Sequence, residues 1–358
     1  MIELYTELEP LENIATLDED YKVWNNLIKN GIKLLVNIDQ NTLDNKLNDP
    51  EDIVTLALTA YGGMSIPEPS ENEFQKLNQD ITATLNNPYG LYILNYSEKD
   101  CNKAQEELGL AIFPSSNIPC DFYKLSIDED FEENELVQCD NGILKGWQKV
   151  LEPYESNYSN SSIIVDRNLF ANEERSKNVG VNNLLQFLDL TLPNKLTQVY
   201  DLTIITDLTN KITRENYRKK LVNNLVDELK KLRSYSIDLE LLFIHRSRPA
   251  YSGTHQRRIL KNYHYAFSEH GFSIFYISNI SKVRNDNTYK MFHSLEKLIE
   301  KDVPNLSGVK LVKKLKKRLC EIKTDAELKL NELGQNDYHY RLFLNKNEVI
   351  SIKNRLLN

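Results

Sequence analysis

Residues 202–245 read LTIITDLTNKITRENYRKKLVNNLVDELKKLRSYSIDLELLFIH, and the order of patterns in this stretch decides the fold class. Leu202–Thr206 and Leu239–His245 are short apolar runs with the length and composition of buried strands. Between them, Thr213 is predicted to cap a helix that continues to Arg233, because leucines recur there at helical spacing. Those leucines are Leu221, Leu225, Leu229 and Leu232. A strand, a helix and a second strand in succession indicate an α/β layer.

The N-terminal part of the chain shows the same alternation. Residues 21–31 and 98–108 have apolar side chains at helical spacing, whereas residues 33–38 and 90–95 are short apolar runs typical of strands. This alternation favours an α/β fold over an all-β design for the N-terminal part as well.

Length and composition exclude several classes of protein. The chain has 358 residues, enough for two domains of ordinary size. No apolar run approaches the roughly 18 residues of a membrane helix, and the N-terminal MIELYTELEPLE is acidic, unlike a signal peptide. The four cysteines are widely spaced and form no CxxC pair, so neither a disulfide framework nor a zinc module is expected. We therefore expect a cytoplasmic protein that has no membrane partner and needs no cofactor.

Acidic and basic residues are distributed unevenly along the chain. Residues 1–150 contain 28 Asp and Glu against 10 Lys and Arg, whereas residues 151–358 contain 24 against 34. An excess of positive charge in the second part indicates a surface that faces a polyanion. Two solvated surfaces of opposite sign that attract one another would explain the same asymmetry.

Residues 245–276, HRSRPAYSGTHQRRILKNYHYAFSEHGFSIFY, hold most of the side chains suited to site chemistry. Four of the six histidines lie here, with five cationic residues and a single acid, Glu269. Guanidinium groups bind phosphate through paired hydrogen bonds, and imidazole can hydrogen-bond a phosphate or exchange a proton with it. Tyrosine rings provide faces on which bases can stack. The predicted phosphate or nucleic-acid ligands are Arg246, Arg248, Arg257, Arg258, Lys261, Asn262 and Tyr263.

Within this segment, His255, Arg257 and Asn262 form the pattern H-x-R-x4-N. The pattern resembles the HxKx4D signature of the phospholipase-D-like superfamily, and it looks closer still to the degenerate variant in the C-terminal domain of some MIT-domain proteins. The resemblance covers residues 160–305 at most. It implies that His255 is the nucleophile or acid and that Arg257 binds phosphate. Stand-alone degenerate motifs of this sort also look similar to components of bacterial antiphage systems.

Two departures from the family pattern bear on catalysis. Arginine at 257 replaces lysine and still binds phosphate, but Asn262 replaces the aspartate and cannot orient and charge a histidine as a carboxylate does. The family also needs two motifs that face each other across one site. We expect no second H-x-K or H-x-R in this chain, so hydrolysis would require a homodimer that brings two copies of His255 together.

Other constellations allow alternative interpretations. Asp166 and Asp207 each follow a strand-like run, where carboxylates can bind Mg²⁺ for phosphodiester cleavage, although aspartate at a strand end more often forms a turn. Residues 128–140 are predicted to be an exposed acidic loop, and residues 155–162 a linker. A basic helix is predicted near residues 308–333, where it either contacts a nucleic-acid backbone or is an ordinary surface helix.

Together these patterns predict an acidic α/β domain over residues 1–155, a phospholipase-D-like basic α/β domain over 160–305 and a basic helical region over 306–358. The favoured function is a nucleic-acid or phospho-ligand binding subunit of an intracellular assembly, with a protein partner or a homodimer. The alternatives are a phosphodiesterase or nuclease that acts as a dimer through His255, and a structural scaffold subunit.

Overall fold

The structure is a computed structural model that describes most of the chain. The described residues are 2–17, 19–60, 67–120, 130–131, 146–151, 158–171, 179–208, 210–250, 257–268, 271–273, 289–293, 308–334 and 339–358.

Strands and helices alternate along most of the described chain, as expected for the predicted α/β class. The strands are β1 (Glu3–Thr6), β2 (Lys33–Val36), β3 (Pro67–Pro69), β4 (Gly90–Leu94), β5 (Ala111–Pro114), β6 (Asp130–Phe131), β7 (Ser161–Val165), β8 (Tyr200–Asp207), β9 (Ile237–Ile244), β10 (Arg257–Lys261), β11 (Tyr265–Ser268), β12 (Tyr289–His293), β13 (Tyr340–Leu344) and β14 (Asn347–Glu348). The helices are α1 (Leu8–Thr16), α2 (Lys22–Lys29), α3 (Gln40–Asn48), α4 (Ile53–Ala60), α5 (Glu71–Gln79), α6 (Glu98–Leu108), α7 (Trp147–Val150), α8 (Val179–Thr191), α9 (Glu215–Leu229) and α10 (Gly308–Leu333). Short 3₁₀ turns lie at Ile81–Asn86, Asn210–Thr213 and Arg355–Leu357.

The first sheet has five parallel strands in the order β3-β2-β1-β4-β5. Strand β4, next to the central strand β1, is buried along its whole length, as expected of a parallel strand covered on both faces. The strand order reverses between β1 and β4, the position where open α/β sheets bind ligands. Glu7 follows β1 there and accepts a hydrogen bond from Asn37 Nδ2 at 2.7 Å. A carboxylate at this turn disfavours a phosphate ligand, so the second sheet is the better candidate for one.

The second sheet has nine strands in the order β14-β13-β9-β8-β7-β10-β11-β12-β6. β7, β8 and β9 form a parallel centre, and β10 and β13 flank it in the antiparallel direction. β8 and β9 are the two apolar runs predicted as strands. Helix α9 connects them and buries Leu221, Leu225 and Leu229 in the same core as Ile204 and Leu241. The strand–helix–strand unit predicted from residues 202–245 is therefore confirmed.

The start of helix α9 differs from the prediction. The helix begins at Glu215, and Arg214 takes the N-cap position without a side-chain capping hydrogen bond. Thr213 is not the cap, because it ends the preceding 3₁₀ turn, and its carbonyl accepts a hydrogen bond from Arg218 Nη1 at 3.1 Å.

The predicted linker over residues 155–162 is part of the second sheet where the structure describes it. Ser159 and Asn160 are buried, and residues 161–162 open strand β7. The linker prediction was wrong here because remote residues satisfy these polar groups. Ser159 Oγ, for example, lies 3.0 Å from the Tyr200 hydroxyl. In the acidic stretch 128–140, residues 130–131 form β6 and pair with β12, and its remaining residues lie outside the described ones.

The chain separates into two compact units. Unit 1 comprises Met1–Lys124 and Ser294–Lys314, and unit 2 comprises Leu125–His293 and Leu315–Asn358. Both units are discontinuous in sequence. The predicted domains, with boundaries at 155–160 and 305–306, were continuous segments, because they rested on composition and on the family resemblance. Within the described ranges, every helix is too short or too polar to cross a membrane.

Candidate functional site

The described part of the 245–276 segment centres on the antiparallel strands β10 and β11 and the turn between them. His255, the predicted catalytic residue, lies outside the described residues, as does Tyr251. The candidate site is therefore built from the strands that hold the predicted phosphate ligands and from the residues beside them.

The H-x-R-x4-N motif extends from one edge of the second sheet to the other. Arg258 lies opposite Val165, the last residue of β7, and Lys261 lies opposite Ser162 near its start. β10 thus begins at the edge where β7, β8 and β9 have their carboxyl ends, which we call the carboxyl edge. It ends at the opposite, amino edge, where Asn262 follows it. At roughly 3.3 Å per residue, the motif's arginine and asparagine backbones lie about 16 Å apart along the sheet.

Arginine is concentrated at the carboxyl edge. Arg167 follows β7, Arg246 and Arg248 follow β9, and Arg257 and Arg258 open β10. Arg246 is exposed, Arg257 is buried and the other three are half-buried. Ligands of open α/β sheets bind at the carboxyl ends of parallel strands, and guanidinium groups placed there favour an anionic one.

Arg257 lies close to Asp166, which directly follows β7. The Asp166 carboxylate is fully buried, with Oδ1 accepting a hydrogen bond from Asn168 N at 2.8 Å and Oδ2 one from Phe272 N at 2.7 Å. Burial raises the pKa of Asp166 to about 6, while the two backbone hydrogen bonds and the charges of Arg257 and Arg167 act in the opposite direction. The charge of Arg257 therefore favours the ionised form of this buried carboxylate.

Gly271 closes the turn above Asp166. Its φ is +107°, a conformation that residues with a β-carbon rarely adopt. Ser268 Oγ accepts a hydrogen bond from Gly271 N at 2.9 Å and lies 2.7 Å from its carbonyl oxygen. Gly271 is thus a turn residue that allows the chain to approach the carboxylate closely.

Two more of the predicted arginine ligands contact neighbouring side chains. The Arg258 guanidinium carbon lies 4.2 Å from the ring centroid of Phe267, its partner across the β10–β11 pair, which fixes the plane of the guanidinium. Arg248 forms an ion pair with Asp325 at 2.7 Å and lies against the Tyr340 ring. Its guanidinium is thereby engaged in holding α10 to β13, whereas Arg246 beside it is exposed.

The predicted ligands at the amino edge point into the protein. Lys261 is 2% exposed, and its Nζ donates to the carbonyl of Thr191 at 2.6 Å. Burial lowers the pKa of Lys261 to about 7. Burial, together with the nearby charge of Lys261, lowers the pKa of His264 to about 3. Tyr263 is 1% exposed and Asn262 is fully buried. In this structure Lys261, Asn262 and Tyr263 therefore serve the fold and do not present their side chains to a ligand.

Asn262 joins the start of β7 to the end of β10. Its Oδ1 accepts hydrogen bonds from Asn160 N at 3.0 Å and Ser161 N at 3.2 Å, and its Nδ2 donates to Asn160 Oδ1 at 2.9 Å. We expect Asn262→Ala to lower the free energy of unfolding by about 2–3 kcal/mol, because two buried backbone N–H groups lose their acceptor. Chemical denaturation measures the loss. Asn331→Ala on the exposed side of α10 is the control, and equal losses in both variants would contradict this role.

The two aspartates considered as metal ligands have different environments. Both oxygens of Asp166 accept backbone hydrogen bonds, so this residue forms a turn at the end of β7. Asp207 is the last residue of β8 and is half-buried. Among the described residues, no group of three or more His, Cys, Asp or Glu side chains could hold a metal ion.

The structure reveals a histidine pair that the sequence interpretation missed. His245 follows β9, His339 precedes β13, and their ring centroids lie 6.3 Å apart. His245 Nδ1 is also 2.7 Å from Ser247 Oγ. His339 and Arg341 have the H-x-R spacing, so the expectation that the chain contains no second copy was wrong. Searching each histidine for arginine two positions later would have found it.

The arginines of both H-x-R patterns, Arg257 and Arg341, belong to strands that begin at the carboxyl edge, but these strands lie far apart. β10 and β13 are separated by β7, β8 and β9. At about 4.8 Å per strand, Arg257 and His339 are roughly 19 Å apart across the sheet. At this separation Arg257 and His339 cannot contact one phosphate group, whereas an extended anion could reach both.

Comparison with known proteins places this chain in no family: no family model matches it, and no curated protein gives a significant match.

Proposed function

We propose that unit 2 binds nucleic acid or another phosphorylated ligand along the carboxyl edge of its sheet, and that the chain is a binding subunit of a larger assembly. The observation that carries the proposal is the gathering of Arg167, Arg246, Arg257 and Arg258 at one sheet edge. Arginine binds phosphate groups through paired N–H donors, which makes a cluster of arginines suited to a phosphorylated ligand.

The two edges of the sheet differ in charge. At the amino edge, Asp201 and Glu240 lie near the starts of β8 and β9, and Asp201 pairs with Arg355 at 2.7 Å. The carboxyl edge holds five arginines together with Asp166 and Asp207, so arginine outnumbers aspartate there. A polyanion approaching unit 2 would be attracted to this edge.

The span of the carboxyl edge favours a polymer over a single phosphate. The edge runs from His339 before β13 to Arg257 in β10, which is about 19 Å at 4.8 Å per strand. A duplex carries one negative charge per roughly 1.7 Å of its axis, so a segment of this length presents about eleven charges. We therefore place polynucleotides ahead of small phosphorylated ligands.

The described arginines have different roles in this proposal. Arg246 is exposed and makes a direct phosphate contact, and Arg258 makes a second one with a guanidinium oriented by Phe267. Arg257 acts mainly through Asp166, as a positioning residue. His255-dependent hydrolysis is not part of the proposal, since His255 lies outside the described residues. The charge imbalance of the first 150 residues, 28 acids against 10 bases, supports a cationic protein partner in the assembly.

Polynucleotide binding by the double variant Arg246→Gln/Arg258→Gln tests the proposal. Fluorescence anisotropy with labelled single-stranded and duplex DNA and RNA, at salt concentrations from about 50 to 200 mM, gives affinity and salt dependence. We expect the variant to bind at least about tenfold more weakly at low salt, and its slope of log K against log salt to fall by about 2, one for each lost phosphate contact.

The control changes the same charge at the amino edge. Lys230→Gln/Lys353→Gln removes two exposed lysines, and it is expected to bind like the wild-type protein. Absence of wild-type binding at the lowest salt, or equal affinity of the two double variants, would overturn the proposal.

A further inference from the structure

Helix α10 is amphipathic, with one packed face and one strongly basic face. Val309, Val312, Leu319 and Ile322 are buried, each less than 6% exposed. The rest of the surface of its first half carries six cations and no acid, since the first acid of the helix is Glu321. The basic residues are Lys310, Lys313, Lys314, Lys316, Lys317 and Arg318.

This charge pattern is unfavourable for an isolated helix. Lys310 and Lys314 are four residues apart, as are Lys313 and Lys317, and Lys314 and Arg318, so like charges are neighbours on the helix surface. Lys310 also lies in the first turn of the helix, where the macrodipole is positive and repels cations. The first turn contains no acidic residue to offset either effect.

The second half of α10 is different. Lys329 pairs with Glu332 at 2.6 Å, and Lys323 Nζ donates to Asn358 Oδ1 at 2.7 Å. In contrast, Lys313, Lys314 and Lys317 are exposed and form no ion pair with any residue that the structure describes. Arg318 pairs with Glu321 at 3.0 Å, so the like-charge repulsion falls on the three exposed lysines, and an external polyanion would offset it.

We infer that the basic face of the first half of α10 is a second nucleic-acid binding surface, which contacts the phosphate backbone through Lys313, Lys314 and Lys317. The inference rests on the proposed function for the class of ligand, but it uses none of the residues of the carboxyl edge. Lys310 to Arg318 extend about 12 Å along the helix at 1.5 Å per residue, which corresponds to about seven charges of a duplex. A membrane surface is disfavoured because the apolar face of the helix is already packed.

The triple variant Lys313→Gln/Lys314→Gln/Lys317→Gln tests the inference in the full-length protein. With a labelled duplex, its slope of log K against log salt is expected to fall by about 2–3, and its affinity at low salt by at least about tenfold. Removal of the like-charge pairs is expected to raise its melting temperature by roughly 1–3 °C. A purely structural role of these lysines predicts the opposite change in melting temperature.

The matched control is Lys22→Gln/Lys99→Gln/Lys103→Gln, which removes three exposed lysines elsewhere in the chain. Duplex binding equal to that of this control would overturn the inference, as would a triple variant that is both destabilised and weakly binding. If instead an acidic protein segment covers this face, the lysine variant would bind the duplex with wild-type affinity. Failure of this inference and failure of the proposed function give different results. If only Arg246→Gln/Arg258→Gln loses duplex binding, the carboxyl edge is the binding site. If only the lysine variant loses duplex binding, α10 is the binding site.

Discussion

Replacing Gly271 with alanine is expected to lower the free energy of unfolding by about 3–5 kcal/mol, because two unfavourable effects coincide at this residue. A φ of +107° is strained for any residue that has a β-carbon. The added β-carbon would also lie 2.7 Å from Asp166 Oδ2. That oxygen cannot easily move, since it accepts a hydrogen bond from Phe272 N in a fully buried turn.

Gly334→Ala is the matched control for this prediction. Gly334 also has a positive φ, +55°, but an added β-carbon there would meet no atom within 4 Å. Its loss is expected to be about 1 kcal/mol, the cost of the left-handed conformation alone. Denaturant titration of both variants compares their losses of unfolding free energy. Equal losses would show that the contact with Asp166 does not contribute to the destabilisation.

A double-mutant cycle with Asp166→Ala separates the steric contact from the backbone strain. Asp166→Ala alone destabilises the turn because Phe272 N and Asn168 N lose their acceptors. In the double variant with Gly271→Ala the clash is gone. The loss of unfolding free energy in the double variant is therefore expected to be about 1–2 kcal/mol smaller than the sum of the two single losses. Strict additivity would contradict a direct contact.

The strands and helices of this fold were largely predictable because their signals are local. The runs that became β8 and β9 are apolar over the length of a strand, and the leucines of α9 recur at helical spacing whatever lies elsewhere in the chain. The helix start was placed wrongly at Thr213. This threonine is suited to capping, but it ends a 3₁₀ turn and the helix begins two residues later without a side-chain cap, which local sequence does not distinguish.

The candidate site was less predictable because its residues depend on pairing between distant segments. The motif reads as one cluster in sequence, yet β10 lies along β7 and carries Arg257 to one edge and Asn262 to the other. The partners of Asn262 are about a hundred residues earlier in the chain, and Arg248 pairs with Asp325 on α10. Charge and residue type identify possible ligands, but strand direction decides which of them face solvent.

Stability between pH 7 and 9.5 is expected to rise more steeply in the wild-type protein than in Lys261→Met. Lys261 is 2% exposed, and burial lowers its pKa from the usual 10.5 to about 7. Between those two pH values the unfolded chain binds a proton that the folded protein does not, so the free energy of unfolding rises with pH. At about 1.4 kcal/mol per pH unit, the wild-type gain from this group is about 3 kcal/mol across the window.

Methionine has a similar length and no charge, so Lys261→Met removes the titration while filling the same space. The stability of the variant relative to the wild-type protein is therefore expected to increase as pH falls towards 7, where the cost of burying the charged lysine is fully present. Denaturant titrations at about pH 7, 8, 9 and 9.5 give the difference between the two proteins at each pH. His264 contributes little to this window, because its effect on stability changes mainly between its folded pKa of about 3 and the usual 6.5.

Lys230→Met is the control for this pH dependence, since Lys230 is exposed. Its stability curve is expected to run parallel to that of the wild-type protein. If the Lys261→Met curve is also parallel, Lys261 remains charged inside the protein throughout the window. Its hydrogen bond to the Thr191 carbonyl, at the negative end of helix α8, would then stabilise the ammonium group enough to offset its burial. The difference curve thus decides whether the interior of unit 2 carries a positive charge at neutral pH.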